Sequence, residues 1–273
     1  MAFYLKTNRG VSYVTSDILR SRHAFATRLG GVSPAGPTAS LNLAFRRGDP
    51  DGVVRENLDR FAAAVGFDAR SVVSVHQIHG NVIYEVDARH RGLGYDFPTD
   101  MAGDGYVTAD PAVTLGVKSA DCTPILLEAR AGERVLAVSA LHAGWKGTVG
   151  DITGIGAEML RKTAEARADG APVTVYAAIG PCIHACCFAV QSDCIAVVRD
   201  RLGELAEPYI RVTESGFTLD LPNLNRALLL RAGVAEDCID VSPDCTACRT
   251  DLYYSHRAQH GVRGTMLSVI GIA

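Results

Sequence analysis

Two hydrophobic periods share the chain. From Asp51 to Val65 (DGVVRENLDRFAAAV) apolar positions recur every three or four residues. That spacing predicts an amphipathic helix with Asp51 as its N-cap. The same period predicts helices over 148–166, 192–202 and 220–231. In the last of these Asp220 is expected to cap, Pro222 suits the first turn, and Gly233 ends the helix. Short apolar runs predict strands at 71–75, 81–86, 113–117, 124–128, 135–141, 173–179 and 265–270. Residues 30–50 (GGVSPAGPTASLNLAFRRGDP) surround a short apolar centre with turn formers and read as a long loop. A loop of that length inside a compact domain is often functional.

These elements mix without strict βαβ alternation. The expected fold is therefore α+β, a single domain over residues 1–273 with mixed β-sheets flanked by helices. With 48% apolar residues, a chain of this length can bury a sizeable core. No internal repeat or low-complexity tract interrupts it.

The net charge is only -3, with no long run of one sign, which does not favour a nucleic-acid partner. No apolar run approaches the roughly 20 residues of a membrane span, and no charged leader precedes an apolar stretch. The expectation is a cytoplasmic protein with no membrane partner. The eight cysteines are then read as reduced thiols. Cys245-x-x-Cys248 has no second C-x-x-C to complete a structural metal site, so it is read as a reduced pair in a turn. Cys182, Cys186 and Cys187 are read as structural or packed near a pocket.

Candidate chemistry lies in three segments, VHQIHG (75–80), SADCTP (119–124) and LHAGWKG (141–147). Each puts a possible metal ligand beside a strand end or tight turn. Zinc accepts imidazole nitrogen and thiolate sulfur, and a catalytic zinc typically has three protein ligands and one open position. Two histidines and a cysteine meet that count. The same residues also permit a cysteine hydrolase with Cys122 as nucleophile and His142 as base.

The motifs together resemble the YfiH (FAMIN) family. The likeness begins with TRLGGVS (27–33) and SLNLAFRRGD (40–49) and continues through HQIHG, DGYVT (104–108), ADCTPILL (120–127), HAGWKGT (142–148) and IGPCIHACCF (179–188). It ends with Cys245, Thr246 and the YSHR element at 254–257. The resemblance implies a YfiH-like sandwich fold and zinc held by His79, Cys122 and His142, with copper an in vitro substitute. It also implies a purine nucleoside phosphorylase acting on adenosine, inosine, guanosine and methylthioadenosine with phosphate, and adenosine deamination in the same pocket. Asp121, Lys146 and Gln77 are the catalytic candidates, and Arg28, Asn42 and Arg257 the substrate-binding ones. Oligomeric state is left open.

Three positions depart from the family pattern. Lys146 stands where arginine is frequent, Phe188-Ala189 replace Tyr-Glu, and the C-terminal glycine–arginine element reads Val262-Arg263-Gly264. The nucleobase deaminase signature is absent, because His142-Ala143-Gly144 lacks its Glu and Pro181-Cys182 is followed by Cys186. A copper-dependent polyphenol oxidase, the family's older description, is the alternative enzyme. Eight histidines with no His-x-His pair supply a multicopper centre poorly. A metal-binding or partner-binding protein without activity is the remaining alternative.

Overall fold

The computed structural model describes residues 2–95, 100–214 and 216–273. Its first part comprises β1 (Phe3–Asn8), β2 (Val11–Ser16), β3 (Arg22–Ala26), α1 (Asp51–Val65), β4 (Val72–Val73), β5 (Ile83–Glu85), β6 (Gly105–Thr108) and β7 (Thr114–Ser119). Next come β8 (Thr123–Ala131), β9 (Arg134–Ala143), α2 (Trp145–Val149), α3 (Ile152–Glu165) and β10 (Thr174–Ile179). The last part holds β11 (Ala189–Val190), α4 (Ser192–Leu202), β12 (Ile210–Thr213), β13 (Gly216–Leu219), α5 (Leu221–Arg231), β14 (Ile239–Val241) and β15 (Met266–Gly271). The fold is mixed α+β.

The strands form two large mixed sheets and one small one. The first sheet runs β1-β2-β3-β15-β7-β4 and the second β14-β10-β8-β9-β6-β5; β11, β13 and β12 make the third. The period of two along each strand decides which layer a side chain joins. In β8, Leu126 points into an apolar layer shared with Leu115 and Val117 of β7 and Val269 of β15. Ile125, Leu127 and Ala129 point the other way, onto Ile152, Ala157 and Leu160 of α3 and Leu229 of α5. Sheet packs on sheet, and helices cover the second sheet's outer face. A third cluster joins α4, α5 and the small sheet around Ile195, Val198 and Leu224.

Several expected elements stand as read. The loop over 30–50 is irregular, and helices α4 and α5 fall where the spacing puts them. Asp220 caps α5 by accepting from Asn223 N, and Gly233 follows it at φ 79°. Three readings need correction. Helix α1 has Pro50 at its N-cap and no side-chain cap, so Asp51 is its first helical residue. There its negative charge meets the positive end of the helix dipole. The segment 71–75 pairs only through Val72 and Val73. The helix expected over 148–166 is two helices, broken where Asp151 adopts φ 58° and caps α3 by accepting from Gly154 N. The break lets α2 rest on the HQIHG turn, where a Cβ on Gly147 would stand 2.7 Å from Gly80 O. Then α3 turns away to cover the sheet.

Among the described residues no helix is long and apolar enough to cross a membrane. Because Leu126 is fully buried between the sheets, Leu126→Ala is expected to cost about 2–5 kcal/mol in urea unfolding. It should leave the groups described next in place.

Candidate metal centre and paired cavities

The site forms where the chain passes from the first sheet to the second. Strand β7 belongs to one sheet and β8 to the other, and residues 120–122 make the bend between them. Asp121 takes φ 94° there, an uncommon backbone for a non-glycine residue. Its carboxylate is anchored by Thr246 Oγ1 at 2.7 Å and Arg257 N at 2.7 Å. That bend delivers Cys122 beside the end of β9, where Pro124 pairs with His142.

Asp104, at the head of β6, organises the rest. It is fully buried and accepts from Ile78 N at 3.2 Å, His79 N at 3.0 Å and Gly80 N at 2.7 Å. These three consecutive amides shape the HQIHG turn and hold His79 at φ 59°. The same carboxylate accepts from His142 Nδ1 at 2.8 Å. With Nδ1 engaged, His142 presents Nε2 to the site. Burial alone would raise the Asp104 carboxyl, but the bonds from His142, Gly80 and His79 hold it below its ordinary value.

The ligand atoms of His79, Cys122 and His142 all lie within 4.8 Å of one another. The two imidazole rings stand 4.9 Å apart at 78°. Burial pushes the Cys122 thiol up, yet the adjoining His142 and His79 outweigh it and bring the thiol down to about 6. Burial likewise pulls His142 down, while the Cys122 thiolate and Asp104 carboxylate raise it. Gly144 keeps the space open, since a Cβ there would stand 3.2 Å from both Cys122 Sγ and His79 Cδ2.

Two cavities meet at His79 and Cys122, with His142 lining the first. One, of about 240 Å³, is lined by Arg47, His76, Gln77, Lys118 and Arg263. Among the described residues no carboxylate lines it. Burial and the neighbouring Arg47 bring Lys118 down to about 8. Burial and Arg47 also lower Arg263, whose buried Nε has no hydrogen-bond partner. The other cavity, of about 360 Å³, is walled by Trp145, Ile183, Phe188 and Leu221, with Asp121 and Arg257 at its edge. Arg47, His79, Ala120, Cys122 and Arg263 border both cavities.

The sequence candidates divide sharply. Gln77 reaches the polar cavity, but its amide is spent on the backbone of Lys118, donating to O and accepting from N, each at 2.7 Å. Arg257 donates to Cys187 O and Ala189 O and stacks 5.6 Å over Phe188, bracing the apolar wall. Lys146 is exposed and lies over Trp145 at 5.7 Å, outside both linings. Arg28 and Asn42 border neither cavity. Arg28 gives its guanidinium to Ala39 O and Thr250 O. Asn42, fully buried, donates to Ala44 O and Asp49 Oδ2 and accepts from Ala44 N and Thr265 N. Scaffold hydrogen bonds thus use the polar groups first read as substrate contacts. Arg47, Lys118, Arg263 and Asp104 were not among the candidates. Arg47 and Asp104 lie inside SLNLAFRRGD and DGYVT, so their motifs were visible though their roles were not.

The described thiols separate by environment. In metal-free protein, alkylation of Cys122 is expected to persist at neutral pH. It should fall away as pH drops through about 6 and the thiolate takes up its proton. Cys182, fully buried and with its pKa driven upward by burial, is expected to stay unmodified. Peptide mapping after iodoacetamide treatment reads both.

The family model described as multi-copper polyphenol oxidoreductase laccase matches residues 22–273. Purine nucleoside phosphorylase YlmD of Geobacillus stearothermophilus is 38% identical over 248 residues, covering 90% of this chain and 88% of its own. The crystal structure of YlmD from that organism superposes with a TM-score of 0.86, covering 98% of this chain and 97% of that one. A purine nucleoside phosphorylase of Deinococcus radiodurans is 39% identical, covering 97% and 95% of the two chains. Adenosine deaminase RL5, from an unknown prokaryotic organism, is 33% identical and covers 86% and 87%.

Proposed function

Because the chain belongs to the multi-copper polyphenol oxidoreductase laccase family, whose relatives include proteins named purine nucleoside phosphorylase, we propose that it is a metal-dependent purine nucleoside phosphorylase. The observation that carries this reading is the pairing of a cationic cavity with an aromatic one across His79, Cys122 and His142. Phosphorolysis needs that pairing: an anion pocket for phosphate, an apolar slot for the purine, and the sugar C1′ between them. Trp145 and Phe188 would flank the base. Lys118, Arg47 and Arg263 would hold phosphate. A phosphate oxygen bonds to C1′ as the N-glycosidic bond breaks. The bonding pair leaves with the purine, which takes up a proton.

His79, Cys122 and His142 fit zinc in donor type, number and mutual distance. Asp104 supports the fit by fixing the His142 ring through Nδ1. A metal held there would supply Lewis acidity. Adenosine deamination in the same pocket is a second reading, favoured by the likeness to adenosine deaminase RL5. Asp121 and Arg257 act as positioning residues for the wall that holds the base. Zinc as native metal, and methylthioadenosine and guanosine as further substrates, belong to this proposal. So does a cytoplasmic location.

The direct test incubates purified protein with adenosine, with and without phosphate, and follows adenine, inosine and hypoxanthine. Adenine that requires phosphate supports phosphorolysis, and inosine formed without it supports deamination. Absence of both from metal-loaded protein would remove the reading. His79→Ala should lose the metal of this trio and phosphorolysis together. Asp104→Asn should weaken metal binding about 10–100-fold, as loss of an orienting partner typically does. The KM for phosphate is expected to rise as pH passes about 8, because Lys118 then sheds its positive charge. Lys118→Met should raise that KM at neutral pH and abolish the step near 8.

A further inference from the structure

We propose that Cys186, Cys187, Cys245 and Cys248 form a second metal site, a four-thiolate zinc that clamps the wall of the aromatic cavity. Their four sulfur atoms all lie within 4.8 Å of one another. Cys187 Sγ and Cys248 Sγ are 3.4 Å apart, and Cys186 Sγ and Cys248 Sγ are 3.7 Å apart. A tetrahedron with Zn–S bonds of ~2.3 Å has sulfur–sulfur edges of roughly 3.8 Å. A disulfide requires ~2.05 Å. The spacing therefore matches ligands around a shared ion.

Two separate turns build the cluster. In the first, Cys187 N and Phe188 N both donate to His184 O at 2.9 Å, which turns the vicinal pair towards one side. In the second, Arg249 N donates to Cys245 O at 2.9 Å and curls the Cys245-x-x-Cys248 segment. The turns are tied together by Thr246 N to Cys182 O at 2.9 Å and by His184 N to Cys245 Sγ at 3.4 Å. An N–H aimed at sulfur favours thiolate over thiol. The missing second half of the metal motif is thus the adjacent pair Cys186-Cys187, about 60 residues upstream of Cys248.

Core packing does not explain the arrangement. Cys186 and Cys248 are exposed, Cys187 is half-buried and only Cys245 is buried. Apolar filling would bury all four. The exposed side offers an ion a way in, and four protein ligands leave no position open for substrate, as in structural zinc sites. Soft sulfur donors alone select zinc, iron–sulfur or monovalent copper over harder cations. The consequence for the neighbouring cavity is mechanical. Cys187 O and Ala189 O receive the Arg257 guanidinium, and Phe188 lies between them on the cavity wall. A metal on Cys186 and Cys187 fixes that wall to the turn at Cys245.

The site does not depend on the function proposed above, and one set of proteins separates the two. Protein is purified under reducing conditions without added copper, and its metals are counted by elemental analysis. Wild type is expected to hold about two zinc equivalents, and His79→Ala and Cys186→Ser/Cys248→Ser about one each. Should the trio site fail while the cluster holds, wild type carries one equivalent, insensitive to His79→Ala and lost from the double cysteine variant. Cobalt titration of His79→Ala leaves the cluster intact and should give the charge-transfer absorption of a four-thiolate tetrahedral ion. Zinc content unchanged by the double substitution, or no such absorption, would overturn the proposal. So would an intact mass showing a disulfide between these cysteines in freshly reduced protein.

Discussion

One buried carboxylate does the organising. Asp104 lies at the head of a strand on the second sheet, yet its oxygens are used by the turn that carries His79 and by the ring of His142. A buried carboxylate without such partners would be protonated or destabilising. Here four N–H donors satisfy it, and in exchange they are fixed relative to one another. The unusual φ of His79 and the ring orientation of His142 therefore share one cause.

The sheets supply the remaining constraint. Cys122 is carried by the bend between two packed sheets, so its position follows from how those sheets stack. His142 lies one residue from the end of the longest strand of the second sheet, and Gly144 and Gly147 let the next helix approach closely. Groups spread over some sixty residues of chain thus meet where the strands of the two sheets end. The cavities they divide differ in character because each draws on different loops. Arg47 and Arg263 border both, but Lys118 and Gln77 line only the first, whereas Trp145 and the segment around Phe188 give the second its apolar surface.

Much of this was legible in the sequence, though unevenly. Helix α5 was clear because capping and period agreed, and α4 by its period alone. Strands β7 to β10 were clear because buried strands are short runs of apolar residues. The first three strands were missed: FYLKTN of β1 is mostly exposed, and VSYVTS and RHAFA of β2 and β3 are mostly buried although polar residues interrupt their apolar runs. The break at Asp151 was missed because the apolar spacing continues across it, while the close approach of Gly147 to Gly80 is a tertiary demand. His79, Cys122 and His142 were singled out by residue type and by family resemblance, and the fold brings their ligand atoms within 4.8 Å of one another. Arg28 and Asn42, read as substrate contacts, are hydrogen-bonded to the scaffold and border neither cavity, and a polar residue within a motif serves the scaffold as readily as the substrate. Lys118 and the four-cysteine cluster depend on contacts between distant segments, which no local pattern announces.

The central claim is that phosphate, held beside the trio, is the nucleophile at C1′. The most direct measurement supplies phosphate labelled with oxygen-18 in ordinary water and analyses the sugar product by mass spectrometry. If phosphate attacks C1′, the sugar 1-phosphate retains every labelled oxygen, including the one now bridging to carbon. Free ribose carrying solvent oxygen, formed at the same rate without phosphate, would contradict it.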